Sequence, residues 1–168
     1  MCIRDRLYSS RTGLVWQAFL KERLNNELKR AASFDQDLVL GIISITEPPA
    51  EVSPDMLGGL ILEHFPFSDL SFEYGENTYA VIIPNTDLDQ GISNFEAFMA
   101  PAANLCGSES AAVIAVGLSS RNGRLLESDR LITEADKALK KAAAEHKSSI
   151  IAFRTDPSKY RDYLASRA

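Results

Sequence analysis

Two carboxylates stand where chemistry could be done. Glu47 follows the apolar run 38–45, and Glu76 lies in the segment 75–78 between two strand-like runs. If those runs pack in one sheet, both glutamates could face one cleft and hold a divalent cation, which takes carboxylate oxygens. The favoured reading is two solvated loop glutamates. No Ser-His-Asp or Cys-His arrangement is visible. His64 and His146 each close a helical segment and read as surface or helix-capping histidines. Cys2 and Cys106 are far apart and lack metal-type spacing, so neither a disulfide nor a zinc site is expected.

The charge distribution bounds what else the chain can bind. The 168 residues carry 18 Lys and Arg against 23 Asp and Glu, a net charge of −5. Residues 31–120 hold 13 acidic side chains and no Lys or Arg. That excludes a basic nucleic-acid surface built from the middle of the chain. A phosphate site would need backbone N–H groups, a metal, or cations from the terminal segments. No apolar run is long enough to span a bilayer, so no membrane contact is expected of this segment. The N-terminal Met1-Cys2-Ile3-Arg4-Asp5-Arg6 lacks the apolar stretch of a signal peptide and reads as artefact or linker.

The elements that must position these residues follow from periodicity. Leu20, Leu24 and Leu28 recur every four residues and predict a helix over 16–32. The run 38–45 is apolar on both faces and predicts a central strand. Ser53-Pro54 predicts an N-cap and first helical residue, with a helix to about Phe65. Gly58 and Gly59 within it either weaken the helix or permit close packing. Runs 68–74 and 79–83 predict a hairpin with Gly75-Glu76-Asn77-Thr78 between the strands. A helix over 86–99, a buried strand over 111–118, a strong helix around Leu131 to Ala142 and a short strand over 149–153 follow. Asp156-Pro157 opens a small helix whose Tyr160, Tyr163 and Leu164 could dock on the domain. The expected fold is α/β (α+β), with a central, mostly antiparallel sheet in βαββαβ ferredoxin-like topology flanked by helices. The expected organisation is an unstructured or artefactual segment over 1–10, one domain over 11–154, and a tail with a short helix over 155–168.

Five pieces of the chain, in order, resemble the GGDEF domain of diguanylate cyclases. Thr12-Gly13-Leu14 with Glu27-Leu28-Lys29-Arg30-Ala31 resembles the family's opening "TGL" and first helix. Asp69-Leu70 with Tyr74-Gly75-Glu76-Asn77-Thr78-Tyr79-Ala80-Val81-Ile82-Ile83-Pro84 resembles "DL…RYGGDEFAVLLP", and Asn85-Thr86-Asp87-Leu88 continues it. Val116-Gly117-Leu118 resembles the "SIGVA" strand, and Ala135-Asp136-Lys137-Ala138-Leu139 resembles "ADxALYxAK". The resemblance implies a nucleotide-cyclase palm and condensation of two GTP into cyclic di-GMP. It also implies Mg²⁺ or Mn²⁺ held by strand-end and hairpin acids, because a reacting triphosphate needs its charge neutralised.

At those working positions this sequence departs from the family. The strand-end acids read Ser44-Ile45-Thr46, and the signature loop reads Gly75-Glu76-Asn77-Thr78-Tyr79. Hydroxyls and a carboxamide bring no negative charge to a divalent cation. The family's Asn at the first helix aligns with Trp16. The guanine-reading stretch is replaced by Glu47-Pro48-Pro49-Ala50-Glu51. In the late phosphate-facing motif only Lys147 keeps a charge. Asp136 and Lys147 are the remaining candidates for substrate contact. The expectation is therefore a degenerate GGDEF domain, with no cofactor expected; if it is an active enzyme it is a diguanylate cyclase using Mg²⁺ or Mn²⁺. Its implied role is a regulatory, dimerisation or partner-binding module of a cytoplasmic bacterial signalling protein. Its partner would be another protein or a second copy, with GTP bound weakly if at all and no nucleic acid. Two alternatives stay open. One is an active cyclase whose metal site is rebuilt from Glu47 and Glu76. The other is a nucleotide sensor without turnover. Trp16, Phe19 and Tyr8, around the start of the first helix, could meet an upstream helix or a second protomer; packing at the domain edge is slightly favoured.

Overall fold

The computed structural model describes residues 7–65, 67–107 and 111–153. The expected C-terminal helix with Tyr160, Tyr163 and Leu164 lies outside them, as does the segment 1–6.

The described chain takes in residues 7–10 as well as the expected domain. Ser9 is buried, its N–H donates to the Leu14 carbonyl at 2.7 Å, and Tyr8 bridges to Val15. Thr12-Gly13-Leu14 forms a tight corner there. The Thr12 hydroxyl accepts from the Leu14 N–H at 3.1 Å and donates to Glu73 at 2.8 Å. Gly13 takes a φ of 80°, where a side chain would be strained. Leu14 then enters the core.

The predicted first helix starts later than expected. Trp16 is extended and Gln17–Phe19 is a 3₁₀ turn, so the α-helix, α1, runs Leu20–Ser33. It buries Leu20, Leu24, Leu28 and Ala31, as the spacing requires. Strand β1 is Leu38–Thr46, and α2 is Pro54–His64. Ser53 precedes α2 with extended backbone, but its hydroxyl donates to the Asp55 carboxylate instead of capping a backbone N–H. Gly58 is where α2 meets the Thr12 corner: a Cβ there would lie 2.1 Å from the Thr12 carbonyl oxygen. Gly59 meets nothing within 4 Å, so only one of the pair serves close packing.

The hairpin is β2, Ser71–Gly75, and β3, Thr78–Pro84. The expected start of β2 at 68 is corrected, because Ser68–Leu70 is a 3₁₀ turn. The loop is also tighter than expected. Gly75 pairs with Thr78, leaving Glu76 and Asn77 as the turn, with Asn77 at a φ of 50°. Helix α3, Leu88–Cys106, is opened by a capping box. The Asp87 carboxylate accepts from the Gln90 N–H at 2.8 Å, and the Gln90 side chain accepts from the Asp87 N–H at 3.1 Å. It continues past the expected end at 99, through Pro101. Ala102 and Cys106 extend the buried row of Phe95 and Phe98, so burial outweighs the lost hydrogen bond. Strand β4 is Val113–Ser120, α4 is Ser128–Ala144 and β5 is Ser149–Ala152.

The sheet order is β2-β3-β1-β4-β5, antiparallel except for the β4–β5 pair. β1 is central, as its two apolar faces demand. Leu38, Leu40 and Ile42 face α1 and α4 with Phe72, Ala80 and Ile82. Val39, Ile43 and Ile45 face α2 and α3 with Tyr79, Phe95 and Phe98. Helix α4 lies against β4 at Gly117, where a Cβ would come within 2.2 Å of the Leu139 backbone nitrogen. The α/β class and the ferredoxin-like βαββαβ core expected from sequence are what the chain forms.

Candidate functional site

One end of the sheet collects the residues singled out by sequence. Ser44 of β1 pairs with Thr78 of β3 on one side and Ala115 of β4 on the other. Thr46 pairs with Val113, and the Ile45 N–H donates to the Asn77 carbonyl at 2.9 Å. The β2–β3 turn is thereby fastened beside the end of β1. Strand alternation puts Ser44, Thr46 and Thr78 on the sheet face that carries α1 and α4. Ser149 pairs with Ala115, so Lys147, two residues earlier, reaches the same end. Glu47 and Glu76 are exposed there, Glu47 with a φ of 53°.

This end offers hydroxyls where a metal site needs anions. Ser44 and Thr78 sit opposite each other in register, and the Thr78 hydroxyl is turned back onto the Glu76 carbonyl at 2.9 Å. Among the described residues, no three His, Cys, Asp or Glu side chains form a group that could hold a metal ion. The donor set does not fit Mg²⁺ or Mn²⁺, which draw on carboxylate charge to offset desolvation. Gly75 has ordinary backbone geometry and room for a side chain: a Cβ there would lie 3.7 Å from its nearest neighbour, the Thr78 Cβ.

Asp136 sits half-buried on α4 and pairs with Lys140 at 3.1 Å, one helical turn on. It lies near enough to Tyr74 to act on it. Burial pushes the Tyr74 hydroxyl pKa up, and the Asp136 charge adds to the rise, against smaller opposing effects of Lys140 and Lys21. Lys21 in turn pairs with Asp129 at 2.9 Å. Asp136 is thus held in a helix-surface ion pair, and Lys147 is exposed.

The opposite end of the sheet carries the anchored charges, which sequence reading did not single out. Glu134 of α4 is 2% exposed. Its carboxylate accepts two bonds of 2.7 Å from Arg124, one of 2.6 Å from the Ser119 hydroxyl and one of 3.0 Å from Arg130. Burial alone would raise its pKa, but those three partners together hold it below the ordinary carboxylate value. Arg124 also donates to the Ser120 and Arg121 carbonyls, which ties the β4–α4 connection to α4. Arg121 is buried and donates to the Gln36 carbonyl at 2.8 Å. On α1, Arg23 bridges buried Glu27 at 3.2 Å and Asp69 at 2.9 Å. Arg23–Asp69 joins a cation of the N-terminal segment to a carboxylate of the acidic middle, whereas Glu27 and Glu134 are paired within the terminal segments. The sequence signals were the Arg23/Glu27 and Arg130/Glu134 spacings of four. Their distant partners, Asp69, Ser119 and Arg124, left no local trace.

The remaining candidates separate. His64 bonds the Asn94 carbonyl through Nε2 at 2.9 Å and packs edge-on against Phe65 and Phe98, a structural role. His146 is exposed just past α4, with a φ of 56°. Cys106 is a buried free thiol whose pKa burial raises, which makes it unreactive. Domain-edge packing of the N-terminal aromatics is corrected in part: Tyr8 is half-buried, but Trp16 is 41% and Phe19 38% exposed. No helix among the described residues is long and apolar enough to cross a membrane.

Comparison with known proteins gives the fold a name. No family model matches the chain. An uncharacterized protein of Treponema pallidum (strain Nichols) is 34% identical over 85 residues, which is 50% of this chain and 49% of that protein. The chain thus matches about half the length of this curated relative. Among solved structures, the chain is similar to the GGDEF domain of DgcB from Caulobacter crescentus in complex with c-di-GMP. The TM-score is 0.71 at 15% identity, covering 92% of this chain and 97% of that one. A GGDEF-only form of PA1120 (TpbB or YfiN) from Pseudomonas aeruginosa gives a TM-score of 0.75 at 18% identity, covering 88% and 94%. Diguanylate cyclase SiaD of Pseudomonas aeruginosa, solved with its activator SiaC, gives 0.72 at 20% identity, covering 87% and 61%. The chain has the GGDEF fold.

Proposed function

We propose that this protein is a degenerate GGDEF domain: the cyclase fold without the cyclase reaction, serving as a regulatory or partner-binding module of a signalling protein in the bacterial cytoplasm. One observation carries the reading. Ser44 and Thr78 face each other in the β1–β3 register, with Thr46 two residues on. Phosphoryl transfer between two triphosphates depends on charge neutralisation and positioning. Three hydroxyls supply neither the charge nor the affinity to seat the cation that would do it. Glu47 and Glu76 are exposed loop glutamates with no anchoring partner among the described residues to place them as replacements, and Lys147 is left as the lone cation of its motif.

A binding role draws on the segment that enters α1. Trp16 and Phe19 expose aromatic surface at the start of α1, of the kind that interfaces enrich. That a GGDEF protein has been solved with a protein activator makes a protein partner a natural occupant, and a second copy is the simplest alternative. Incubation of the purified protein with GTP and Mg²⁺ or Mn²⁺ tests the loss of catalysis. No cyclic di-GMP is expected, and its clear formation would end this reading. A thermal shift with GTP separates a silent module from a nucleotide sensor: the module is not stabilised at about millimolar GTP.

A further inference from the structure

Helix α2 carries a glycine that no contact among the described residues explains. Gly58 is required by the Thr12 corner, but a Cβ at Gly59 would meet nothing within 4 Å. A glycine in a helix interior is destabilising relative to alanine, so this one costs stability without a packing return inside the domain. Leu57, Gly58 and Ile61 are buried, and helical spacing then turns Asp55, Gly59 and Glu63 outward, with Met56 and Leu60 beside them. Met56 is 42% exposed and Leu60 half-buried. Gly59 therefore leaves a bare gap in an outward surface that has apolar flanks, two carboxylates and no Lys or Arg.

A projecting side chain stands on the side of the sheet that carries α1 and α4. Leu125, in the connection from β4 to α4, is 87% exposed. That connection is nevertheless pinned at both ends. Arg124 donates to the Arg121 and Ser120 carbonyls and to Glu134, and the Ser128 N–H donates to the Asn25 side chain at 2.8 Å. Leu125 is thus held out into solvent at a fixed place. Beside it is a notch of about 290 Å³, formed with Leu28, Lys29 and Ala32 of α1 and with Arg124, Leu126 and Glu127. Lys29 is exposed on its wall. A rigid, exposed apolar side chain loses little freedom on association, which is what an interface anchor needs.

We infer that these two surfaces fit each other, and that the occupant of the Leu125 notch is the outward face of α2 from a second copy of this chain. Leu125 enters the gap at Gly59, between Met56 and Leu60, and Lys29 faces Asp55 and Glu63. Charge sets the register: the cation-free α2 face meets the lysine of the notch, and Glu127, the acid of the same wall, is turned away from it. The two surfaces lie on opposite sides of the sheet, so a copy that uses one keeps the other free. The contact is therefore head-to-tail and can grow beyond a pair. Both patches are small, which places it in the weak, transient class that buries less than about 1,200 Å². It uses neither the hairpin end nor Trp16 and Phe19, so its failure would leave the function proposed above untouched.

The test is analytical ultracentrifugation of the full chain at up to about 1 mM. The unsubstituted chain should associate reversibly, pass beyond a dimer as concentration rises, and dissociate as salt is added. Gly59→Leu fills the gap and Leu125→Glu removes the anchor, so each variant alone should be monomeric. Neither should unfold, because Gly59 borders open space and Leu125 is exposed; Gly59→Leu should raise the thermal midpoint. Mixed in equal amounts, the two variants should form a pair and nothing larger, since each retains the surface the other lacks. Lys29→Glu should weaken association about tenfold or more, whereas Glu127→Gln should not weaken it. The inference is overturned if the unsubstituted chain stays monomeric throughout. It is equally overturned if either variant alone associates as the unsubstituted chain does, or if the mixture of the two stays monomeric.

Discussion

The two ends of the sheet treat charge in opposite ways. At the end where β4 leaves for α4, a buried glutamate is held by two arginines and a serine, and a neighbouring buried arginine reaches the Gln36 carbonyl. At the hairpin end the residues facing one another are hydroxyls, and the nearby carboxylates, Glu47 and Glu76, are exposed on loops. Anchored charges are costly to bury and are kept only where several partners satisfy them. A phosphoryl-transfer site needs the same anchoring, because its function is to hold charge in place. In this chain the anchoring serves the scaffold and is missing where the chemistry would be. On the proposed reading, the fold persists without the reaction.

The contrast can be broken most severely at Glu134. Glu134→Ala leaves Arg124 and Arg130 without their shared carboxylate and should cost about 3–5 kcal/mol in chemical denaturation. A loss below about 1 kcal/mol would mean that this end is no better anchored than the other. The same residue sets an acid dependence. Its folded-state pKa lies below the ordinary value, so the unfolded chain takes up the proton first as pH falls. Its contribution is complete above the unfolded pKa of about 4.3. It is lost as pH falls through the lower, folded value. Glu134→Gln should flatten that part of the stability curve, and an unchanged curve would place the acid sensitivity elsewhere.

A middle-sized effect is expected at Arg23. Arg23→Ala uncovers the buried Glu27 carboxylate and frees Asp69, for about 1–3 kcal/mol. The half-exposed position of the arginine argues for the lower part of that range. The smallest effect sharpens the comparison from the other side. Glu47→Ala and Glu76→Ala should each change stability by no more than about 0.5 kcal/mol, as solvated loop positions do. A larger loss would show that these carboxylates are anchored after all.

Much of the scaffold is legible in the sequence because it rests on local periodicity. Leu20, Leu24 and Leu28 announce α1, and the doubly apolar 38–45 announces a central strand. The gathering of Ser44, Thr78 and Lys147 at one end follows once β1, the hairpin and the last strand are placed. The departures have physical causes. Residues 68–70 carry strand-like patterning but form a 3₁₀ turn that leads Leu70 into the core. Pro101 suggests a helix end, yet Ala102 and Cys106 continue a buried row that carries α3 on. Trp16 and Phe19 read as edge packing because their types are apolar; their exposure depends on where the chain turns into α1.

The central claim is that the hairpin end no longer holds a divalent cation. It is tested most directly by titrating Mn²⁺ into the purified protein with GTP present and following binding by calorimetry. The account predicts no saturable uptake by the protein at about millimolar metal. Stoichiometric binding that disappears in the Glu47→Ala, Glu76→Ala double variant would contradict it.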